Sequence, residues 1–274
     1  MTERRRGARR RSDVAVETLR KLNLGLDETV NLMEWLAVDM DVLARSVFSS
    51  AQCGDLGRKV LDKLPRLAGL GITKKLAAVG AAVASVSRDP DHHLHRTLLN
   101  HRCDIVRQWA VYALHALPGL PSAERLTRTR HFAADHNMTV RECAWMAFRP
   151  HLAIDLDDGI NRLQAWVEDA DPNVRRFAIE VTRPRSVWGQ HLSMLKREPQ
   201  KCLPLLEPVS ADLSRYVRTA VANWLNDASK SRPEWVLDLC EAWSTHANPR
   251  TQWIVGRALR SYRRAAEGRQ YHLI

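Results

Sequence analysis

The sequence lacks the features that mark disulfide-rich, zinc-binding and membrane-spanning proteins. Its five cysteines lie far apart, with no Cys-x-x-Cys pair and no Cys/His cluster, so we expect reduced thiols in the core rather than disulfides or a zinc site. There is no run of about eighteen apolar residues, so no transmembrane helix is predicted. The first part of the chain also lacks β-strand alternation and hairpin dipeptides, which indicates an all-α fold.

Positive charge is in excess. The chain has 42 Lys and Arg against 31 Asp and Glu, a net charge of +11, which predicts a polyanionic partner, nucleic acid before membrane. The arginine-rich residues 1–12 are predicted to form a disordered tail, which is either simply solvated or a non-specific arm for phosphates. No apolar segment follows these arginines, so we expect no secretory signal and a cytoplasmic protein.

Residues 13–274 are predicted to form a single helical domain. The predicted helical segments begin at Ser12-Asp13, with a stop at Gly25, and continue as 27–48, 54–67 and 74–87. Three histidines, His92, His93 and His95, follow an Asp-Pro turn. Exposed histidines in a turn explain this group better than a metal site, because the spacing is not that of a ligand set.

A repeat runs through the rest of the chain. A Val-Arg pair opens a predicted helix in four copies, whose arginines are Arg107, Arg141, Arg175 and Arg218. The first three arginines are spaced 34 residues apart, and Gln252 follows the fourth arginine by the same 34 residues. The interval between the third and fourth is longer, because nine extra residues fall between Arg183 and Leu213. A helix pair fits this period, and the Asp-Pro-x-Val-Arg opening at Asp171 resembles the HEAT repeat. We therefore predict a right-handed α-solenoid of HEAT-like helical hairpins.

Alignment of the copies on the Val-Arg pair places three acids on one stripe of successive parallel helices. Glu142 lies one residue after the arginine of its copy, Glu180 five after and Asp227 nine after. These offsets are i, i+4 and i+8, hence one helix face. Stacked helices are roughly 10 Å apart, so the carboxylates are predicted to approach one patch. The alternative, in which these acids simply pair with the repeat arginines, stays open.

Aromatic and basic residues surround the acid stripe in sequence. Trp188 lies in the irregular Arg-Pro-Arg-Ser-Val-Trp-Gly run just after the acidic helix, and a tryptophan near carboxylates suits a cationic, aromatic ligand. Other residues suit a phosphate backbone. The residues predicted to bind it are Arg183, Arg185, Asn223, Trp224, Asn226, Lys230, Trp253, Arg257 and Arg260.

Three segments, 174–188, 216–230 and 253–260, resemble the HEAT-like repeat DNA glycosylases of the AlkC/AlkD group, and 141–150 looks like a fourth. They include Thr-Arg-Pro-Arg and Asn-Asp-x-x-Lys motifs, and the likeness is greatest to the AlkC branch. The resemblance implies that Glu142, Glu180 and Asp227 are active-site acids and that Trp188 is the active-site aromatic. The match is looser around Glu142, and Trp224 stands where the branch more often has histidine.

The resemblance implies a monofunctional DNA glycosylase, a monomer that is nucleoid-associated when bound. It would hydrolyse the N-glycosidic bond of cationic alkylated bases, such as N3-methyladenine, in duplex DNA, without metal or cofactor. No lysine nucleophile is expected on the acid stripe, and the sequence, which stops at Ile274, is expected to lack the C-terminal β-domain of some members. The alternative is a non-catalytic HEAT-repeat scaffold that binds nucleic acid or protein. Three carboxylates within a basic face favour the enzyme.

Overall fold

The computed structural model describes residues 5–245 and 247–262, and every regular element in these ranges is a helix. The predicted all-α fold is therefore confirmed for this part of the chain. The contacts divide it into two compact units. Unit 1 contains residues up to 132 together with 136–147, and unit 2 contains 133–135 and the residues from 148 onward. Continuity of the repeat between the two units stays a prediction.

Unit 1 is built from short helices that pack in chain order. Its helices are α1 (Val16–Asn23), α2 (Leu32–Ala37), α3 (Met40–Phe48), α4 (Gly54–Lys63), α5 (Ile72–Val86), α6 (His93–Leu99), α7 (Asp104–Ala116), α8 (Ser122–Ala133) and the first part of α9 (Met138–Leu152). Helix α3 packs against α4, α4 against α5, and both α5 and α6 against α7. This order places successive apolar faces against one another, as a helical repeat requires.

Several helix boundaries in unit 1 differ from the predicted ones; α4, for example, ends at Lys63 rather than at 67. The predicted segment 27–48 is two helices, because the Asp39 carboxylate accepts hydrogen bonds from two backbone N–H groups and so caps a new helix. The first α-helix begins at Val16, whereas residues 11–13 form a separate 3-10 turn. The predicted stop at Gly25 is confirmed, since its φ of +71° is favourable only for glycine.

From residue 5 onward, the tail that was predicted to be disordered lies against unit 1. The Arg5 guanidinium contacts the carboxylate of Glu34, which is only 1% exposed. The Asn31 side-chain amide donates a 2.8 Å hydrogen bond to the Ala8 carbonyl. A buried carboxylate requires a compensating charge, and Arg5 supplies it. Residues 1–4 of the predicted tail lie outside the described residues.

Unit 2 contains the last part of α9 and seven further α-helices. These are α10 (Leu156–Val167), α11 (Pro172–Val181), α12 (Ser193–Arg197), α13 (Leu203–Leu206), α14 (Arg215–Ser229), α15 (Pro233–Ser244) and α16 (Pro249–Ala258). Helix α10 packs against α11, α11 against α14, and α14 against both α15 and α16. The predicted insertion after Arg183 forms an irregular loop and the short helices α12 and α13.

The arginine of each Val-Arg pair holds the turn that precedes its own helix. Arg175 Nη1 donates hydrogen bonds of 2.8 and 3.1 Å to the carbonyls of Asp169 and Ala170, six and five residues earlier. The equivalent bonds to preceding carbonyls are made by Arg107, Arg141 and Arg218. These carbonyls all lie in the turn before a helix, so the repeated arginine stabilises that turn in each copy.

The cysteines behave as the sequence predicts. All five are free and buried. Burial raises the pKa of the Cys103 and Cys202 thiols to about 12, so both stay protonated near neutral pH. Within 5–245 and 247–262, no helix is long and apolar enough to cross a membrane.

The histidine group differs in part from its expected exposure. His93 is exposed, but His95 is buried, with Nε2 2.9 Å from the Ser87 carbonyl oxygen. The reason is that α6 begins at His93, so its first turn directs His95 into the unit rather than into a solvated turn.

Gly80 provides a test of the packing in unit 1, because α5 and α7 approach each other closely there. A Cβ at this position would lie 2.5 Å from Tyr112 Cβ and 2.7 Å from the Ala113 nitrogen. We expect Gly80→Ala to lower the free energy of unfolding by about 1–3 kcal/mol, although alanine is the better helix former. Gly256→Ala is the control, since a Cβ there meets nothing within 4 Å. It should raise stability by about 0.5–1 kcal/mol in urea denaturation. Equal effects of both changes would contradict the close packing of α5 on α7.

Candidate active site

Two of the three predicted acids come together in unit 2. Glu180 is near the end of α11 and Asp227 near the end of α14, and these helices pack against each other. Arg183 bridges them: Nη1 donates to Glu180 Oε2 at 3.0 Å, while Nε and Nη2 donate to Asp227 Oδ2 at 3.0 and 2.6 Å. The acids are 4% and 6% exposed, so the bridge compensates for the burial of two negative charges.

The remaining oxygen of each carboxylate also contacts a cation. Arg176 Nη2 lies 3.2 Å from Glu180 Oε1, and Lys230 Nζ lies 2.9 Å from Asp227 Oδ1. Burial alone would lower the pKa of Arg183, but the two carboxylates more than offset this and raise it above the usual value. The bridging guanidinium therefore stays charged at any working pH. We call Glu180, Asp227, Arg176, Arg183 and Lys230 the acid-pair cluster.

The contacts of this cluster answer part of a question that the sequence left open, namely whether the acids simply pair with the repeat arginines. Glu180 and Asp227 do pair with cations, but their partners are not the repeat arginines of the same unit. Arg175 binds Asp212 at 2.7 Å, and Arg218 donates to turn carbonyls. Lys230 also contacts Asp227, and the expected absence of a lysine nucleophile stays a prediction.

Arg149 fixes the loop that follows α11, and the sequence analysis did not single it out. Its Nε and Nη1 donate to the carbonyls of Gln190 and Val181 at 2.8 and 2.7 Å, and Nη2 donates to the carbonyl of Arg183. Burial lowers its pKa to about 10, and the side chain is only 1% exposed. One signal was present: Arg149 and Arg183 both lie eight residues after the Val-Arg arginine of their copies.

The same loop carries Trp188 and is held at a second point by Arg185. Arg185 Nη2 donates to Ser231 Oγ at 2.7 Å and Nε to the Asp227 carbonyl at 3.3 Å. Ser186 Oγ accepts the backbone N–H of Trp188 at 3.2 Å, which tightens the turn. Trp188 is nevertheless 52% exposed. The predicted aromatic thus lies on a fixed loop with much of its ring available to a ligand.

Two predicted phosphate-binding residues are buried, and that prediction must be corrected. Trp224 is fully buried, and its Nε1 donates to the Thr182 carbonyl at 3.1 Å. Asn226 is 2% exposed, and its Nδ2 donates to the Ala258 carbonyl at 2.8 Å. Both lie on α14, which α11, α15 and α16 cover from three directions. Neither side chain is available to a phosphate in this structure.

Other predicted residues form a partly exposed basic patch around Trp253. Three guanidinium carbons lie 5.6, 5.8 and 5.7 Å from the Trp253 ring centroid, and they belong to Arg215, Arg218 and Arg257. Arg260 Nη2 donates to Asn223 Oδ1 at 3.0 Å. The structure thus joins Asn223 on α14 with Trp253 and Arg257 on α16. Arg260 follows the end of α16, and its Nη1 donates to the Arg257 carbonyl at 2.8 Å.

The third predicted acid, Glu142, belongs to unit 1. Its Oε2 accepts a 2.9 Å hydrogen bond from Trp145 Nε1, one turn later in α9. The predicted position of Glu142 beside Glu180 and Asp227 stays a prediction, since those two acids belong to unit 2.

The different burial of two tryptophans gives a stability test. Trp224→Ala should lower the free energy of unfolding by roughly 3–5 kcal/mol, because it empties a core site and removes the bond to Thr182. Trp188→Ala should change it by less than about 0.5 kcal/mol, since the ring is half exposed. Thermal and urea denaturation of both variants measure the difference. Comparable destabilisation by the two changes would contradict the exposed position of Trp188.

Comparison with known proteins gives one family. A model of the family described as DNA alkylation repair enzyme matches residues 125–262, just over half of the chain. The uncharacterized protein YhaZ of Bacillus subtilis (strain 168) is 43% identical over 116 residues, which are 42% of this chain and 32% of YhaZ. The chain thus spans about a third of that curated relative.

Solved structures show the same fold. The Pseudomonas fluorescens alkylpurine DNA glycosylase AlkC, bound to DNA containing an abasic site analog, has a TM-score of 0.67 and 26% identity, over 93% of this chain and 65% of AlkC. AlkD2 from Streptococcus mutans has a TM-score of 0.58 and 22% identity, over 76% of this chain and 98% of AlkD2. The second likeness concerns the fold alone. The predicted resemblance to the AlkC/AlkD group and its HEAT-like helical repeats is confirmed. Of these two structures, AlkC has the higher TM-score, in agreement with the predicted likeness to the AlkC branch.

Proposed function

This chain belongs to the DNA alkylation repair enzyme family, and on that premise we propose that it is a monofunctional DNA glycosylase of base excision repair. Its substrates are cationic alkylated bases, such as N3-methyladenine, in duplex DNA. The observation that carries the proposal is the pair of nearly buried carboxylates, Glu180 and Asp227, whose bridging Arg183 begins the loop that bears the exposed Trp188.

The chemistry of the substrate matches this arrangement. A base methylated at a ring nitrogen is cationic and already a good leaving group, so no general acid must protonate it. The enzyme has to stabilise the positive sugar that develops as the N-glycosidic bond breaks, and to position a water. Asp227 and Glu180 perform both tasks, by electrostatic stabilisation and as general base, with Glu142 as the third acid. Trp188 holds the lesion or its sugar by its π face.

Recognition of the DNA backbone is assigned to the basic patch around Trp253. Arg257, Arg260 and Asn223 present donors there, and Arg185 lies on the loop after α11. Arg183 and Lys230 were also predicted to bind phosphates, but both contact the acids in this structure, and their part in DNA binding stays a prediction. The net charge of +11 supports association with DNA, hence with the nucleoid.

We infer hydrolysis without a covalent intermediate, and the position of Lys230 supports it. Lys230 Nζ lies 2.9 Å from Asp227 Oδ1, where it is the counter-ion of that acid. The proposed reaction needs neither a metal nor a cofactor, because the leaving base carries its own positive charge. Treatment of an enzyme–substrate mixture with borohydride is expected to trap no covalent enzyme–DNA adduct. An adduct that disappears in Lys230→Met would contradict the monofunctional reaction.

A second candidate is a non-catalytic HEAT-repeat scaffold that binds nucleic acid or protein. One observation favours it: every oxygen of Glu180 and Asp227 already contacts a cation, as in a purely structural ion-pair network. The two functions differ in whether base is released from alkylated DNA.

Base release from methylated duplex DNA under single-turnover conditions separates the two. We expect the wild type to release cationic methylated bases, and Asp227→Asn and Glu180→Gln each to reduce the rate by about 10²-fold or more, since each removes a charge that stabilises the transition state. Asp158→Asn is the control: it makes the same change in an exposed acid that pairs with Arg162 on α10, and should keep the wild-type rate.

Each outcome of this assay decides one point. Thermal denaturation of the variants checks that each still folds, since loss of one partner from a buried ion pair is destabilising. No release by the wild type would favour the scaffold. Unchanged release by both folded variants would place the active site elsewhere.

A further inference from the structure

The three cations of the acid-pair cluster are held very differently. Arg183 binds both carboxylates and is 26% exposed, so it cannot leave without uncovering both acids. Arg176 is 12% exposed and also lies over the Tyr216 ring, 4.2 Å from its centroid. Lys230 follows the last residue of α14, is 45% exposed, and binds Asp227 Oδ1 alone. Lys230 is therefore the least firmly held of the three.

Removal of Lys230 from Asp227 would affect the ammonium and the carboxylate differently. A half-exposed lysine–carboxylate pair contributes little to stability, because water solvates the released ammonium. The Asp227 carboxylate is only 6% exposed, and although Oδ2 keeps its bonds from Arg183, Oδ1 would lose its own cation. A group that brings a positive charge of its own is therefore the best replacement for Lys230 at Oδ1.

We propose that Lys230 is an exchangeable counter-cation. Without substrate, its ammonium occupies the position beside Asp227 Oδ1 that the positive charge of the substrate takes in the catalytic complex. The exchange rests on the proposed glycosylase function and makes Lys230 a specificity-determining residue within it. A cationic nucleotide displaces the ammonium and leaves the charge of the cluster unchanged. A neutral nucleotide leaves Lys230 in place, and Asp227 then stays shielded from its sugar.

The displaced ammonium is released to water. Lys230 follows the last residue of α14 and its side chain is 45% exposed, so solvent already reaches it. The exchange therefore replaces a partly solvated lysine on Asp227 by the positive charge of the substrate, and a neutral nucleotide offers no such charge.

Binding of abasic-site analogues tests the exchange without any catalytic step. Three fluorescent duplexes are compared: one with a cationic pyrrolidine analogue, one with a neutral tetrahydrofuran analogue, and one undamaged. Lys230→Met should bind the cationic duplex about fivefold more tightly than the wild type, because no internal cation competes for Asp227. Its affinity for the neutral and undamaged duplexes should stay within about twofold of wild type. Lys230→Arg, which keeps the cation, should bind the cationic duplex no more tightly than wild type.

Lys201→Met is the matched control. Lys201 pairs with another aspartate of unit 2, Asp157 at 2.9 Å, which unlike Asp227 is exposed. The change removes one lysine charge away from the cluster and should leave all three affinities unchanged. Equal weakening of all three duplexes by Lys230→Met would overturn the exchange and make Lys230 a plain phosphate contact. An unchanged affinity for the cationic duplex would also overturn it. Equal binding of all three duplexes by the wild type would overturn the proposed function itself, and the exchange with it.

Discussion

The bridge from Arg183 to Glu180 and Asp227 is the interaction on which the candidate site depends. Two carboxylates that are 4% and 6% exposed would repel each other and lose their hydration without a cation between them. The planar guanidinium of arginine suits this position, because its donors reach both acids at once. Since Arg183 is also the second residue after α11, the bridge ties the start of the Trp188 loop to the acids.

Much of the positive charge of this chain serves its own structure. The repeat arginines bind turn carbonyls, Arg149 binds three carbonyls around the loop after α11, and Arg5 compensates for Glu34. Arginine is suited to these positions because its donors diverge in one plane and it remains charged when partly buried. The net charge of +11 thus overstates the charge that is free to meet DNA. The charge that remains for a polyanion includes the exposed Arg215 and Arg257 beside Trp253.

The fold was predictable where the signal is periodic, and less so where it depends on single contacts. The 34-residue spacing identified the helix that each Val-Arg pair opens, because every copy must bury the same apolar face. The break between α2 and α3 was missed, since it depends on one cap, Asp39, within an otherwise continuous apolar pattern. The attachment of the tail was missed as well, because it depends on a distant carboxylate, Glu34, that local sequence does not reveal.

The sequence by itself determined the repeat, the helix that carries each acid, and the irregular run that carries Trp188, because spacing and turn residues are local properties. Only the tertiary structure decided which polar side chains are buried and which are exposed. Trp224 and Asn226 read as surface residues in a basic segment, yet they are buried because three helices surround α14. Arg183 and Lys230 read as phosphate contacts, yet they neutralise the acids. Helical periodicity assigns a residue to a face, but the neighbours packed around that face determine whether water, another helix or a substrate meets it.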